Sequence, residues 1–324
     1  MPRAVVCRAF GPPEELRLEE IARAPLAAGQ VRVALRAAGI NFPDILMVAG
    51  QYQLKPPLPF TPGVEAAGEV TEVAGAGGIK VGDKVMVKAR FGCYAEEIVA
   101  APEQLAPLPP NFDFAQGATF LAAHGTAYHA LVERARIAPG ETLLVHGAGG
   151  GVGLAAVELG KVLGATVIAA ASHEDKLAVA SARGADHLVR YDREPFRDTV
   201  KRITDGRGAD VVFDPVGGAV FEDSLRCIAW GARLLVIGFT GGIGLARTNL
   251  VLIKGASVLG VRAGESARRD PALGRARQET LLRLAGEGRV SPHISHRLPL
   301  DHYAEAMRLL IARRAIGRVV LTMR

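Results

Sequence analysis

The sequence predicts an α/β protein of two domains, a doubly wound parallel sheet inserted into a β-rich domain. Three observations carry this. The chain has 324 residues, which at roughly 150 residues per domain exceeds one core. Up to about residue 120 it reads as short strands punctuated by Gly and Pro. Beyond Ala115 it turns helical and then alternates strand with helix, the pattern of a parallel sheet covered by helices.

The early strands are Arg3 to Ala9, Gln30 to Ala38, Glu65 to Val73, Lys84 to Lys88 and Tyr94 to Val99. A helical stretch runs through His129 and Val132. There follow Thr142 to His146, Val152 to Leu163, Thr166 to Ala170, Lys176 to Arg183, His187 to Arg190, Asp210 to Phe213 and Arg233 to Ile237 as alternating strands and helices. After Val261 come an arginine-rich helical segment, a strand near His293 to Leu298, an amphipathic helix from Asp301 and a last strand, Arg318 to Thr322. These read as an appendix to the first region. The predicted domains are therefore 1–122 with 263–324, and 123–262.

Composition narrows the function. Hydrophobic residues make up 49% and charged residues 22% of the chain, which excludes the polar composition of disordered proteins. Aromatics are 5%, with Trp230 the single tryptophan, so little is available for stacking nucleic-acid bases. The net charge of +6 is spread among acids, as in Arg17-Leu18-Glu19-Glu20, and reads as a solvated surface rather than a nucleic-acid footprint. Cys7, Cys93 and Cys227 are odd in number and widely spaced, so neither a disulfide framework nor a zinc knuckle follows. With no basic segment leading into an apolar run and no membrane-length stretch, a cytoplasmic protein is expected.

The chemistry-bearing motif follows Leu143-Leu144-Val145, a buried-strand run. It is His146-Gly147-Ala148-Gly149-Gly150-Gly151-Val152-Gly153, opening a helix of Leu, Ala, Val and Glu. The spacing Ala148, Gly150, Gly153 is a variant of the dinucleotide fingerprint. The backbone must turn tightly, turn its amides to the pyrophosphate and let the helix pack close, and the helix N-terminus adds a favourable dipole. Ala148 to Gly153 are thus candidate cofactor ligands. Where an NAD enzyme places a carboxylate against the ribose, this chain has Ala169-Ala170-Ala171-Ser172. A 2′-phosphate can sit near Ser172, with Lys176 as counter-charge and Tyr191 as hydroxyl partner, which favours NADPH. The competing reading is that Ser172 and Asp175 cap a helix and Lys176 is solvated.

The chain resembles the medium-chain dehydrogenase/reductase superfamily, and within it the zinc-independent quinone oxidoreductase branch, over essentially its whole length. The resemblance rests on Ala38-Gly39-Ile40-Asn41-Phe42-Pro43-Asp44, Gly50-Gln51-Tyr52, Pro62-Gly63-Val64-Glu65-Ala66-Ala67-Gly68-Glu69-Val70, Gly82-Asp83-Lys84-Val85, Gly125-Thr126-Ala127-Tyr128, the glycine turn, and Asp214-Pro215-Val216-Gly217-Gly218. It implies a Rossmann domain joined to a β-rich GroES-like catalytic domain. In the superfamily's zinc alcohol dehydrogenases a cysteine stands in the place of Asn41 and a histidine in that of Val64. Neither is present, and Cys93 stands alone where a structural-zinc lobe would be, so no metal is expected.

Without a Lewis acid, an isolated carbonyl is a poor hydride acceptor, whereas a quinone or α,β-unsaturated carbonyl spreads the charge itself. The resemblance implies Asn41, Asp44 and Tyr52 as the catalytic candidates, with the Asn41 amide available to the nicotinamide ribose or the substrate oxygen. Against this, Asn and Asp commonly set turns, and Asp44 can be an orienting group alone. Thr126 would face the nicotinamide or merely pack. Glu65 either buttresses Asn41 or bonds backbone. Gly238, Phe239 and Thr240 match where the family's backbone passes the cofactor, and Arg318 is placed either at a cofactor phosphate or on the surface. The resemblance also suggests that Asn249 to Val261 holds edge strands pairing across a twofold axis, giving a homodimer. The expected activity is NADPH-dependent quinone reduction. An enoyl-thioester or enone reductase is the alternative, and a catalytically weak NADPH-binding or RNA-binding protein a third.

Overall fold

Apolar residues clustered between Gly and Pro turns build the first strands. In the computed structural model, which describes residues 1–323, Arg3–Val6 (β1) and Arg17–Glu20 (β2) pair as an antiparallel ribbon. Val31–Gly39 (β3) runs into the short helix Phe42–Val48 (α1), whose Pro43 suits a first helical turn. Glu65–Val73 (β4), Lys84–Lys88 (β5), Glu97–Ala100 (β6) and Leu105–Pro107 (β7) follow. The helix Phe114–Tyr128 (α2) continues as a π-helical turn, His129–Arg134.

The unit Ala123–Ser291 holds Thr142–His146 (β8), Gly151–Val162 (α3), Thr166–Ala171 (β9), Glu174–Ala182 (α4), His187–Arg190 (β10), Phe196–Ile203 (α5), Ala209–Asp214 (β11), Gly218–Ser224 (α6), Ile228–Val236 (β12), Thr248–Lys254 (α7), Ser257–Gly260 (β13), Ala263–Arg269 (α8) and Pro271–Gly286 (α9). Its strands lie in the order β10-β9-β8-β11-β12-β13, all parallel. Counted within the unit, this is the 3-2-1-4-5-6 order of a doubly wound dinucleotide fold, whose switch point falls between β8 and β11. Leu143, Leu144 and Val145 are fully buried, as a strand covered on both faces requires.

Two expectations need correction here. Asn249 to Val261 is not a pair of strands: its first apolar run is α7, and β13 alone is the edge strand. Nor does the chain leave this unit at residue 263, because α9 packs into it. Arg277 is buried and forks onto Glu133 at 2.8 and 2.9 Å, with a further bond to the Ala263 carbonyl. Leu281, Leu284 and Ala285 fill the same contact face.

From Pro292 the chain rejoins the first unit as Ile294–Pro299 (β14), Tyr303–Ile311 (α10) and Arg318–Thr322 (β15). The sheet there runs β14-β15-β3-β4-β5-β7, with β6 also on β3. β15 pairs antiparallel with the end of β3, Val320 opposite Gly39, which brings residue 318 beside Asn41. The core of this unit includes Leu35, Ile40, Met47, Phe60, Tyr94, Val319 and Leu321. Among the described residues no helix is long and apolar enough to cross a membrane.

Candidate functional site

The glycine turn is shaped by close backbone contact. Gly147 takes a φ of 56°, the left-handed region that favours glycine. Ala148 N–H donates to Ala170 O at 3.1 Å and Gly150 N–H to Gly147 O at 2.9 Å, closing the turn against β9. A Cβ on Gly153 would stand 2.9 Å from Ala148 Cα and inside contact with the Gly147 carbonyl. A Cβ on Gly149 would stand 2.5 Å from Lys176 Cβ, so the stem of Lys176 lies across the turn. The first turn of α3 presents amides with no partner inside the helix. This cradle fits the pyrophosphate of a dinucleotide: with the Ala148 and Gly150 amides engaged in closing the turn, those of Gly149, Gly151, Val152 and Gly153 would hold it.

Beneath the turn lies a directional chain of hydrogen bonds. Ser224 Oγ donates to Val220 O at 2.7 Å, so toward His146 Nε2, at 2.8 Å, it accepts. His146 Nδ1 is then the acceptor of the Tyr191 hydroxyl at 2.6 Å, and that hydroxyl accepts Gly147 N–H at 3.4 Å. Burial pushes the His146 pKa down to about 3, so the ring is neutral with its proton on Nε2. The Tyr191 hydroxyl, expected at a 2′-phosphate, is therefore turned inward and engaged. Ser172 Oγ lies 2.7 Å from His173 Nδ1, and His173 rather than Ser172 occupies the cap position of α4, without a side-chain cap bond.

After β11, Asp214 Oδ1 accepts the amides of Val216 and Gly217 at 2.8 and 2.9 Å. Thr240 Oγ1 donates to Pro215 O at 3.1 Å, which ties the loop Gly238–Phe239–Thr240 to the loop after β11. The turn, Ser172, Lys176, Tyr191 and residues 238–240 thus gather at the carboxyl ends of this unit's strands. Thr126 is half-buried on the last turn of α2.

The other candidates meet in a buried polar cluster of the first unit. Arg318 Nη2 donates to Asn41 Oδ1 at 2.9 Å and to Glu65 Oε1, and Asn41 Nδ2 donates to Glu65 Oε1 at 3.0 Å and Gly39 O at 3.3 Å. Glu65 Oε2 takes the Ala122 amide at 2.9 Å. Glu65 therefore buttresses Asn41 and bonds backbone at once. Both Asn41 N–H bonds are engaged within the cluster, while its Oδ1 keeps one lone pair, so this amide can accept from a hydroxyl but cannot donate to a substrate oxygen. Arg318 is neither on the surface nor extended toward a phosphate: it is buried at 6% exposure, and a buried guanidinium requires such a counter-charge. Tyr52 is half-buried against the core of this unit.

Asp44 is fully buried. Its Oδ2 accepts the Tyr94 hydroxyl and the backbone N–H of Asn41, each at 2.8 Å, and its Oδ1 has no partner. Burial pushes its pKa up to about 7, against the pull of those two bonds. A folded value above the ordinary 3.8 means that the contribution to stability is complete below pH 3.8 and lost as pH rises through 7, with a slope of up to about 1.4 kcal/mol per pH unit. Asp44→Asn keeps an acceptor for both donors and removes the charge. Its stability relative to wild type is expected to rise between pH 5 and pH 8, measured by urea unfolding at each pH. A constant difference would show Asp44 ionised throughout. Tyr94 had no local signal in the sequence, since it joins Asp44 across 50 positions.

Among the described residues no group of three or more His, Cys, Asp or Glu is placed to hold a metal ion. A family model described as alcohol dehydrogenase GroES-like domain matches residues 27–110, and one described as zinc-binding dehydrogenase matches residues 151–277. The chain is 39% identical to a quinone oxidoreductase-like protein 2 homolog of Nematostella vectensis, covering 98% of this chain and 88% of that protein. A probable oxidoreductase from Mycobacterium abscessus has a similar structure, with a TM-score of 0.91 at 35% identity over 99% of both chains. A mycobacterial protein solved in complex with NADPH has a TM-score of 0.91 at 27% identity, over 99% of this chain and 100% of that one. With the parallel dinucleotide sheet, the GroES-like unit and these relatives together, the chain belongs to the medium-chain dehydrogenase/reductase superfamily, among its quinone oxidoreductase-like members.

Proposed function

We propose that this chain is an NADPH-dependent reductase that passes a hydride to a quinone and works without zinc. The observation that carries the reading is the Asn41 cluster. Where the superfamily's zinc dehydrogenases place a metal ligand, this chain has a buried amide held between Arg318 and Glu65. Bound nicotinamide would supply the hydride. The residues of the chain would orient it: Asn41 Oδ1 has a lone pair that would suit a ribose hydroxyl, and the amides of the glycine turn would suit the pyrophosphate. With no Lewis acid, the acceptor must take the charge into its own conjugation, as a quinone does. The absence of an acid from Ala169 to Ser172, with Lys176 packed on the turn, supports NADPH, as does the NADPH complex of the mycobacterial relative.

The test is an oxidation screen with NADPH and NADH over simple quinones, enones and enoyl-thioesters, with and without chelator. Quinone-dependent NADPH oxidation that exceeds NADH oxidation and ignores chelator is expected. Chelator-sensitive alcohol oxidation would overturn the reading, and faster turnover of thioesters would replace the quinone by an activated alkene.

We also read the enzyme as a homodimer. Trp230, Leu252 and Ile253 are 78%, 79% and 64% exposed, beside edge strand β13. A Cβ on Gly255 would lie 3.2 Å from the Trp230 ring, so Trp230 sits at the C-terminal end of the helix that carries Leu252 and Ile253. An apolar edge of this kind is an aggregation hazard unless covered. Light scattering should give twice the chain mass, and a stable monomer at working concentration would remove the dimer. The three cysteines are all buried free thiols, which suits a reducing cytoplasm.

A further inference from the structure

We propose that Arg190 is the residue that distinguishes NADPH from NADH in this chain, by binding the 2′-phosphate. The proposal rests on the NADPH reading above and names the group that enforces it.

In the parallel pair of β9 and β10, Arg190 stands opposite Ala171, level with the strand end that delivers Ser172. Its neighbours on both sides are turned inward. Val189 is buried, and the Tyr191 hydroxyl is engaged with His146 and Gly147. Arg190 instead projects across the strand ends. Its Nη1 donates to Glu174 Oε2 at 3.1 Å, and Glu174 is the first residue of α4. The guanidinium therefore lies beside Glu174 at the start of α4, two residues before Lys176, whose stem crosses Gly149.

The two carboxylates on Arg190 play different parts. Asp192 takes the Nε and Nη2 edge as a fork, at 2.9 and 2.6 Å, and fixes the plane of the guanidinium. Glu174 holds the remaining nitrogen by a single bond, from a side chain that is 73% exposed. An exposed single-bond ion pair is weak, whereas a guanidinium bonds phosphate oxygens in the same geometry as a carboxylate and more strongly for the added charge. A 2′-phosphate displaces Glu174 and leaves the Asp192 fork in place. A ribose hydroxyl has no charge with which to do so, which makes the contact selective.

The test measures equilibrium binding of NADPH and NADH to the full-length protein by calorimetry. Arg190→Gln should weaken NADPH about 10- to 100-fold, the scale of one lost charge-assisted bond, with NADH changed less than about twofold. Arg190→Lys keeps the charge without the fork and should fall between. Glu174→Gln removes the competitor and should tighten NADPH. Equal weakening of both cofactors by Arg190→Gln, unchanged NADPH binding, or weaker NADPH binding in Glu174→Gln would each overturn the proposal. If the wild-type protein binds NADPH no better than NADH, the cofactor reading itself fails, and that is seen before any variant is made.

Discussion

Gly153→Ala is expected to cost nearly all cofactor affinity while leaving the protein folded. The added Cβ meets Ala148 Cα at 2.9 Å and presses on the Gly147 carbonyl, both main-chain atoms that cannot rotate away. Overpacking of this kind costs about 1–3 kcal/mol, and here it is relieved by moving α3 off the turn that aims its amides. At roughly 1.4 kcal/mol per factor of ten, NADPH binding should weaken about 10- to 100-fold. An opposing effect is known: Ala in a helix is favoured over Gly by about 1 kcal/mol. The thermal midpoint should therefore shift little while affinity collapses, and the two readings together separate the site from the fold. Wild-type affinity in this variant would mean that the turn does not carry the pyrophosphate.

Arg318→Met should give the largest loss of stability. Glu65 is 1% exposed, and without Arg318 its charge keeps only the Asn41 and Ala122 N–H groups. Removing one partner of a buried ion pair costs about 3–5 kcal/mol, mostly the burden of the stranded charge. The double variant Glu65→Gln with Arg318→Met has no charge to strand and should recover most of the loss, since neutral replacements of buried pairs are often tolerated. Arg318 Nε has no hydrogen-bond partner, so the wild-type arrangement is itself not fully satisfied. Urea unfolding of Arg318→Met, Glu65→Gln and the double variant closes the cycle. A single variant that loses under 1 kcal/mol would indicate that water reaches Glu65.

Several elements were legible because local pattern decides them. Thr142–His146, His187–Arg190 and Arg318–Thr322 are strands at the residues their apolar runs define, and the turn between β8 and α3 follows from glycine spacing alone. The segment 248–254 was not legible. Leu250 to Ile253 is a short apolar run, which periodicity cannot assign to helix or strand, and α7 ends where Gly255 takes a left-handed φ of 55°. The extent of the second unit was hidden for another reason: Arg277 reads as a surface arginine until Glu133, 144 residues away, is seen to face it. Asn41 and Asp44 were found by motif. What they can do was not legible, because the donors that occupy them, Tyr94 and Arg318, and the acceptor Glu65 are distant in the chain.

The place of β15 in its sheet also sets an order of events during synthesis. The second unit is one continuous segment and holds all its sheet partners by residue 260. It can close while the chain is still emerging, as domains generally do. The first unit cannot. β3 lacks its β15 neighbour, and Glu65 its counter-charge, until a residue 253 positions later has been made. During that interval the nascent chain carries an open strand edge on β3 and a Glu65 carboxylate without its Arg318 partner.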